Sequence, residues 1–88
     1  MTEIRLILCN QLGLHARPAS KLAKIALKYD SEVLVSGNNK SVDAKSISMI
    51  MTLGFPKGTE LKISVDGPDE SDCIEEMKEL IENNFYEE

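Results

Sequence analysis

The 88-residue sequence has no tryptophan, only two cysteines and one histidine, and its aromatic residues make up 5% of the chain. Cys9 and Cys73 lie far apart and lack the spacing of metal ligands, which argues against a structural metal. We expect both to be reduced thiols in or near the core. Aliphatic residues must fill that core, since 42% of the chain is hydrophobic.

The sequence also has no apolar run long enough to span a membrane. Residues 1–8 are too short and too charged for a signal peptide, so we expect a cytoplasmic protein, consistent with unpaired thiols. The length predicts one small domain over residues 1–88.

Positive charge is scarce in the second half of the chain. Residues 1–44 contain six bases and four acids, whereas residues 45–88 contain four bases and eleven acids, and the net charge is −5. This acidic balance argues against nucleic acid as a partner.

Hydrophobic periodicity predicts secondary structure in the order β-α-β-β-α-β-α. The predicted strands cover residues 3–9, 32–36, 40–44 and 59–66. The predicted helices cover residues 16 to about 29, 47–53 and about 70–85, the last with a core stripe ending in Asn84 and Phe85. Four alternating strands with one apolar face predict an α+β open-faced β-sandwich, in which three helices cover one face of an antiparallel sheet.

Local signals place the helix ends. His15 is the expected N-cap of the first helix, with Pro18 in its first turn, where a missing N–H costs no helical bond. Ser46 is the expected N-cap of the second helix, and Gly54 its C′ residue. Residues 69–72 are expected to cap the third helix and to supply negative charge to its first turn.

The start of the first helix is the strongest candidate for chemistry. The backbone N–H groups of Ala16 and Arg17 and the helix dipole favour an anion there, and the Arg17 guanidinium suits a phosphate. The neutral imidazole of His15 is a competent nucleophile that can form a covalent intermediate. Together they could hold a phosphoryl group on the imidazole; the alternative is a capping histidine beside a solvated arginine.

Two further features allow two interpretations each. Arg17, Lys21, Lys24 and Lys28 form a basic stripe without an intervening acid, which could be a solvated face or a docking surface for an acidic partner. Ser46 is sufficiently explained as an N-cap, yet a phosphate there would be favoured by the dipole and would place charge beside the exposed Ile47 and Met51.

The segment Gly13-Leu14-His15-Ala16-Arg17-Pro18-Ala19 resembles the histidine-containing phosphocarrier (HPr) family of the bacterial phosphoenolpyruvate-dependent sugar phosphotransferase system. The likeness extends along the chain through Lys45-Ser46-Ile47, Leu53-Gly54, Lys57-Gly58-Thr59 and Asp66-Gly67-Pro68. A seven-residue match with the remaining chain in register is a specific signal.

The resemblance implies that His15 accepts a phosphoryl group on Nδ1 from phosphorylated enzyme I and passes it to a histidine of an enzyme IIA domain. Arg17 would steady the group, and the first two helices would form the docking face. In some members, an HPr kinase/phosphorylase modifies the serine matched by Ser46. The resemblance further implies a phosphocarrier that needs no cofactor and is not an independent enzyme, and we expect a monomer.

Three departures keep alternatives open. Leu12 and the tail at 83–88 look more like the nitrogen-regulatory branch, and Ser48-Met49 replaces an apolar-then-glycine pair common in members regulated through serine. A regulatory binding module that works only through Ser46 is a second hypothesis. A hydrolase with a Ser–His pair is a weak third, because Ser20 lies five positions along the helix and no carboxylate is near His15 in sequence.

Overall fold

A computed structural model describes residues 1–86, and it confirms the predicted order of elements. The strands are β1 (Thr2–Ile7), β2 (Glu32–Gly37), β3 (Lys40–Asp43) and β4 (Glu60–Asp66). The helices are α1 (Ala16–Leu27), α2 (Ile47–Met51) and α3 (Glu70–Glu82), followed by a short 3₁₀ turn at Asn84–Tyr86.

The four strands form one antiparallel sheet in the order β1-β4-β2-β3. Ile63 in the central strand β4 lies opposite Ile4 of β1 and Val35 of β2, and Val35 lies opposite Val42 of β3. Because side chains alternate along a strand, this register places one apolar residue from every strand on the same face.

The helices cover that apolar face, as the predicted open-faced sandwich requires. In α1 the predicted stripe of Ala19, Leu22, Ala23 and Ala26 is fully buried. Burial of a leucine such as Leu22 stabilises the fold by about 1.5–3 kcal/mol relative to exposure. The helix α3 packs on β1, β4 and α1, and α2 packs beside α1.

Two helices end earlier than their hydrophobic patterns predict. The helix α1 ends at Leu27, with Lys28 as C-cap, and α2 ends at Met51, with Thr52 as C-cap. The Leu53 N–H donates to the Ile50 carbonyl at 3.1 Å, a tighter i→i+3 turn than an α-helix allows. Gly54, at a φ of +60°, therefore follows the C′ position instead of occupying it.

The third helix also ends early, at Glu82. Residues 84–86 all have positive φ, of 52°, 59° and 57°, so the chain turns in the left-handed region there. Phe85 still reaches the core and is fully buried, whereas Asn84 is exposed, so its placement on the core stripe was wrong. The Tyr86 N–H donates to the Asn83 carbonyl at 2.8 Å. Residues 87 and 88 lie outside the described part.

Cys73 is buried, as predicted, and desolvation raises the pKa of its thiol to about 11. Cys9 is exposed, so its predicted place in or near the core was wrong. The strand β1 ends at Ile7, before the predicted end at residue 9, and the alternation of exposed and buried residues continues past it, so Leu8 and Asn10 are buried on either side of Cys9.

Asp69 occupies the N-cap of α3, but its side chain makes no capping hydrogen bond. Its carboxylate instead accepts hydrogen bonds from the Ser31 hydroxyl, from Asp30 N–H at 2.9 Å and from Ser31 N–H at 3.1 Å. These bonds, the one from the Ser31 hydroxyl foremost, lower the pKa of Asp69. Asp69 thereby ties the start of α3 to the turn between α1 and β2.

We expect Asp69→Asn to destabilise the protein at pH 7 and to do so less as the pH falls below about 4. A lowered folded-state pKa stabilises the native state above the unfolded pKa of an aspartate, and this contribution is lost as the pH falls through the folded value. Urea unfolding of both proteins at pH 7 and at pH 3 measures the difference. Ser71→Ala, on the exposed first turn of α3, is the matched control. An equal loss at both pH values would contradict the assignment.

Candidate functional site

The loop before α1 holds His15 through main-chain contacts with a distant part of the chain. Leu14 N–H donates to the Phe55 carbonyl at 2.8 Å, and the buried Asn10 donates from Nδ2 to the Gly13 carbonyl at 2.6 Å. Gly13 has a φ of +67° and lies against the Phe55 carbonyl, where a Cβ would be only 2.3 Å from the oxygen. These contacts fix the backbone of His15 before any ligand arrives.

His15 is the N-cap of α1, as predicted, with an extended backbone and no side-chain capping hydrogen bond. The first intrahelical bond runs from Ala19 N–H to the His15 carbonyl at 3.0 Å. The N–H groups of Ala16 and Arg17 come before that bond in the chain and lie at the N-terminus of α1, which is the positive end of the helix dipole. The backbone of His15 is therefore held at the start of α1, and the residue is half-buried there.

His15 and Arg17 line one open depression of about 630 Å³. Lys21, one turn further along α1, lies on the same depression, as does Leu12, whose side chain is 73% exposed. The remaining lining residues are Cys9, Asn10, Gln11, Asn84 and Tyr86. The depression thus combines a nucleophilic nitrogen with two cationic side chains, a chemistry suited to a phosphoryl group.

The four basic side chains of the predicted stripe have different environments. Arg17 and Lys24 are exposed. Lys28 is paired with Glu76 of α3, an acid that the sequence of α1 alone does not reveal. Lys21 is half-buried, and its ammonium donates a hydrogen bond to the Phe85 carbonyl.

Ser46 is the N-cap of α2, as predicted, and its Oγ accepts a hydrogen bond from Met49 N–H at 3.3 Å. Its Oγ also lies 3.2 Å from Ser48 Oγ. Ile47 and Met51 are exposed, by 42% and 46%, whereas Ile50 faces the core. Met49, equally exposed at 46%, was not predicted to belong to this apolar surface because it falls outside the helical spacing of the other residues.

Sequence reasoning missed the residues that complete the depression. Asn10 carried a usable signal, because asparagine side chains often bond to the backbone of a turn. Tyr86 and Asn84 carried none, since a left-handed turn at three non-glycine residues is not encoded in a local pattern. A hydrogen bond from Tyr86 to Glu79, 3.1 Å long, raises the pKa of the Tyr86 phenol.

Over residues 1–86 the structure has no group of three or more histidine, cysteine, aspartate or glutamate side chains that could hold a metal ion. In the same part of the chain, no helix has the length and apolar character needed to cross a membrane.

The open-faced sandwich and its histidine, presented at a helix start beside an arginine, define a domain that can carry a group on one imidazole. Residues 2–83 match the model of the PTS HPr component phosphorylation site family. The phosphocarrier protein HPr of Xylella fastidiosa strain 9a5c is 40% identical over 87 residues, which cover 99% of this chain and 98% of the relative. The chain belongs to the HPr family of phosphocarrier proteins of the phosphotransferase system.

Solved structures agree with this membership. The structure of HPr-C-His from Thermoanaerobacter tengcongensis superposes with a TM-score of 0.94 at 43% identity, covering 100% of this chain and 99% of that one. A structure described as an HPr dimer from the same organism has a TM-score of 0.78 at 42% identity, covering 99% of this chain and 100% of that one. The predicted resemblance to this family and the predicted fold class are confirmed.

Proposed function

We propose that the protein accepts a phosphoryl group on His15 from phosphorylated enzyme I and passes it to a histidine of an enzyme IIA domain. The observation that carries the proposal is the single imidazole at the N-terminus of α1, on a depression shared with Arg17 and Lys21. The hydrogen bonds of the surrounding loop hold the backbone of His15 in place, which lowers the cost of orienting its side chain for attack.

The transfer needs no cofactor and no redox partner. The lone pair on His15 Nδ1 attacks the phosphorus, a new N–P bond forms, and the N–P bond to the donor imidazole breaks. His15 keeps its proton on Nε2, so its ring becomes a phosphoimidazolium, and the donor ring, which is protonated on its other nitrogen, leaves as a neutral imidazole. In the second transfer, the histidine of enzyme IIA attacks the phosphorus and the N–P bond to His15 breaks. The protein is therefore a carrier and does not catalyse a reaction of its own.

Arg17 and the backbone N–H groups of Ala16 and Arg17 are the proposed partners of the phosphoryl oxygens. The planar guanidinium can bind two of these oxygens at once, and charge-assisted bonds of this kind are about twice as strong as neutral ones. The same groups serve both transfers, because the phosphoryl group is bound to His15 at the end of the first transfer and at the start of the second.

The proposed docking surface combines the exposed cations of α1 with the exposed apolar side chains of α2. Arg17 and Lys24 would steer an acidic partner, and Ile47, Met49 and Met51 would be covered on contact. Lys21 and Lys28 contribute less on this proposal, since both already have partners within the chain. We propose that the carrier acts as a monomer, which leaves both helices open.

The direct test is phosphorylation by enzyme I with labelled phosphoenolpyruvate. We expect one label per chain that is lost in acid and retained in alkali, as a phosphohistidine requires, and that moves to enzyme IIA on mixing. An acid-stable label, or no label at all, would overturn the proposal.

The same assay distinguishes the branch of the system. We propose the sugar branch, and the nitrogen-regulatory branch is the alternative. Rates measured side by side with an enzyme I and an enzyme IIA from each branch decide between them. Faster transfer with the nitrogen-branch pair would reassign the pathway and leave the carrier chemistry unchanged.

A second proposed role is regulation through Ser46. A phosphate on Ser46 would add about −1.5 to −2 charges beside Ile47, within the proposed docking surface. We expect treatment with HPr kinase to give an acid-stable label that Ser46→Ala removes and Ser48→Ala retains. We also expect Ser46→Asp to slow transfer from enzyme I by about tenfold, through repulsion of the acidic partner. No incorporation at Ser46 would limit this residue to capping α2.

A further inference from the structure

Lys21 connects the site to the C-terminal turn. It lies one helical turn after Arg17, lines the same depression as His15, and donates a hydrogen bond to the Phe85 carbonyl. Its half-buried side chain is thus held between the proposed phosphoryl site and the last described residues of the chain. Exposed lysines on a helix rarely have such a fixed position, because their side-chain entropy opposes it.

The C-terminal turn at Asn84–Tyr86 is strained, and Asn84 and Tyr86 line the depression. A few contacts hold this turn in place. Three successive non-glycine residues have positive φ, a region of backbone conformation that is unfavourable for L-amino acids. Four contacts oppose this cost. They are the burial of Phe85, the hydrogen bond from Tyr86 N–H to the Asn83 carbonyl, the one from the Tyr86 hydroxyl to Glu79, and the one from the Lys21 ammonium to the Phe85 carbonyl. Of these four contacts, only the Lys21 bond comes from a charged donor that also borders the site.

A phosphoryl group on His15 would compete for that donor. Such a group carries about −1.5 to −2 charges at neutral pH, more than one guanidinium can neutralise. An ammonium bonds more strongly to a charged oxygen than to a neutral carbonyl. The long, flexible lysine side chain lets the ammonium move from the carbonyl to the phosphoryl oxygens without movement of α1.

We propose that Lys21 is a positioning residue that senses the phosphoryl group. In the unphosphorylated protein it holds the C-terminal turn through the Phe85 carbonyl. After phosphorylation of His15 it bonds to the phosphoryl oxygens as a second cation beside Arg17, and the turn around Tyr86 loosens. This inference rests on the proposed function, since it requires a phosphoryl group on His15.

The test compares Lys21→Met, which keeps most of the aliphatic stem, with Lys21→Arg, which keeps the charge. Lys24→Met on the same helix is the matched variant, because it removes a charge from the docking surface without touching the depression. Hydrogen exchange of the Phe85 and Tyr86 amides reports on the turn, and the half-life of the acid-labile label reports on the phosphoryl group. Transfer kinetics with enzyme I separate KM from kcat for each variant.

We expect phosphorylation of the wild type to speed exchange at Phe85 and Tyr86 by about tenfold, the size of a lost bond to a charged group. In Lys21→Met, exchange should already be fast and should not respond to phosphorylation, and the label should be lost sooner. Lys21→Arg should restore both properties. Lys21→Met should lower kcat, whereas Lys24→Met should raise KM alone.

Exchange in the wild type that does not change on phosphorylation, together with equal label lifetimes in Lys21→Met and Lys24→Met, would overturn the inference. A purely structural Lys21 would speed exchange without changing the lifetime of the label, and that outcome would also overturn it. Failure of the proposed function looks different, because the wild type would then take up no acid-labile label. Thermal unfolding of each variant establishes that the comparison is made on folded protein.

Discussion

Replacement of His15 by alanine is expected to reduce phosphoryl uptake from enzyme I to background while leaving the fold intact. No other histidine exists in the chain, so no second imidazole can accept the group. His15 is half-buried at the start of α1 and lies outside the hydrophobic core, so we expect the variant to remain folded. Labelling with phosphoenolpyruvate and urea unfolding measure the two effects separately.

The matched control is Ser20→Ala, which removes a nearby hydroxyl on α1 and tests the weaker Ser–His interpretation. We expect this variant to be labelled at the wild-type rate. A label that survives in His15→Ala would refute the assignment of the carrier residue. A large loss of stability in His15→Ala would instead show that the imidazole supports the fold.

Replacement of Gly13 by alanine is expected to have the second largest effect, because it acts on stability and transfer together. A Cβ at this position would lie 2.3 Å from the Phe55 carbonyl oxygen and 2.8 Å from the Pro56 carbonyl carbon, both backbone atoms that cannot move aside alone. We expect a loss of about 3 kcal/mol, in which the positive φ contributes about 1 kcal/mol and the clash most of the remainder. The displaced loop should slow transfer by about a hundredfold, as misplacement of a reacting group by about 1 Å does.

Gly54→Ala separates the clash from the backbone strain. Gly54 has a φ of +60°, close to that of Gly13, yet a Cβ there would meet no atom within 4 Å. We expect Gly54→Ala to cost about 1 kcal/mol and to transfer the phosphoryl group at close to the wild-type rate. Equal losses in the two variants would mean that the approach of Gly13 to Phe55 does not position His15.

The fold could be predicted largely from the sequence because its signals are local. Ile4, Leu6 and Leu8 alternate with other residues, which predicts a strand. The apolar residues of α1 recur at helical spacing, which predicts a helix with one buried face. The caps His15 and Ser46 were also predictable, since the change from loop to helix leaves a pattern in the sequence.

The parts that could not be predicted depend on contacts between distant residues. The Asp69 carboxylate bonds to Ser31 instead of capping α3, because the tertiary fold brings the turn between α1 and β2 against the start of α3. The same holds for Lys21, whose partner is a carbonyl 64 positions away. Hydrophobic periodicity predicts which side of a helix is buried, but it does not predict which polar atom each charged side chain beside that buried face will contact.

The hydrogen bond between Leu14 N–H and the Phe55 carbonyl affects the order in which parts of the protein fold. It joins two loops separated by about half the chain, and the second loop leads directly into β4, the strand between β1 and β2. Closure of so long a loop comes late in folding, after local helices have formed. A chain emerging during synthesis therefore displays its histidine before the surroundings that orient it exist. The proposed phosphoryl site is completed together with the central strand, so a phosphoryl donor would meet a competent acceptor only in a fully folded molecule.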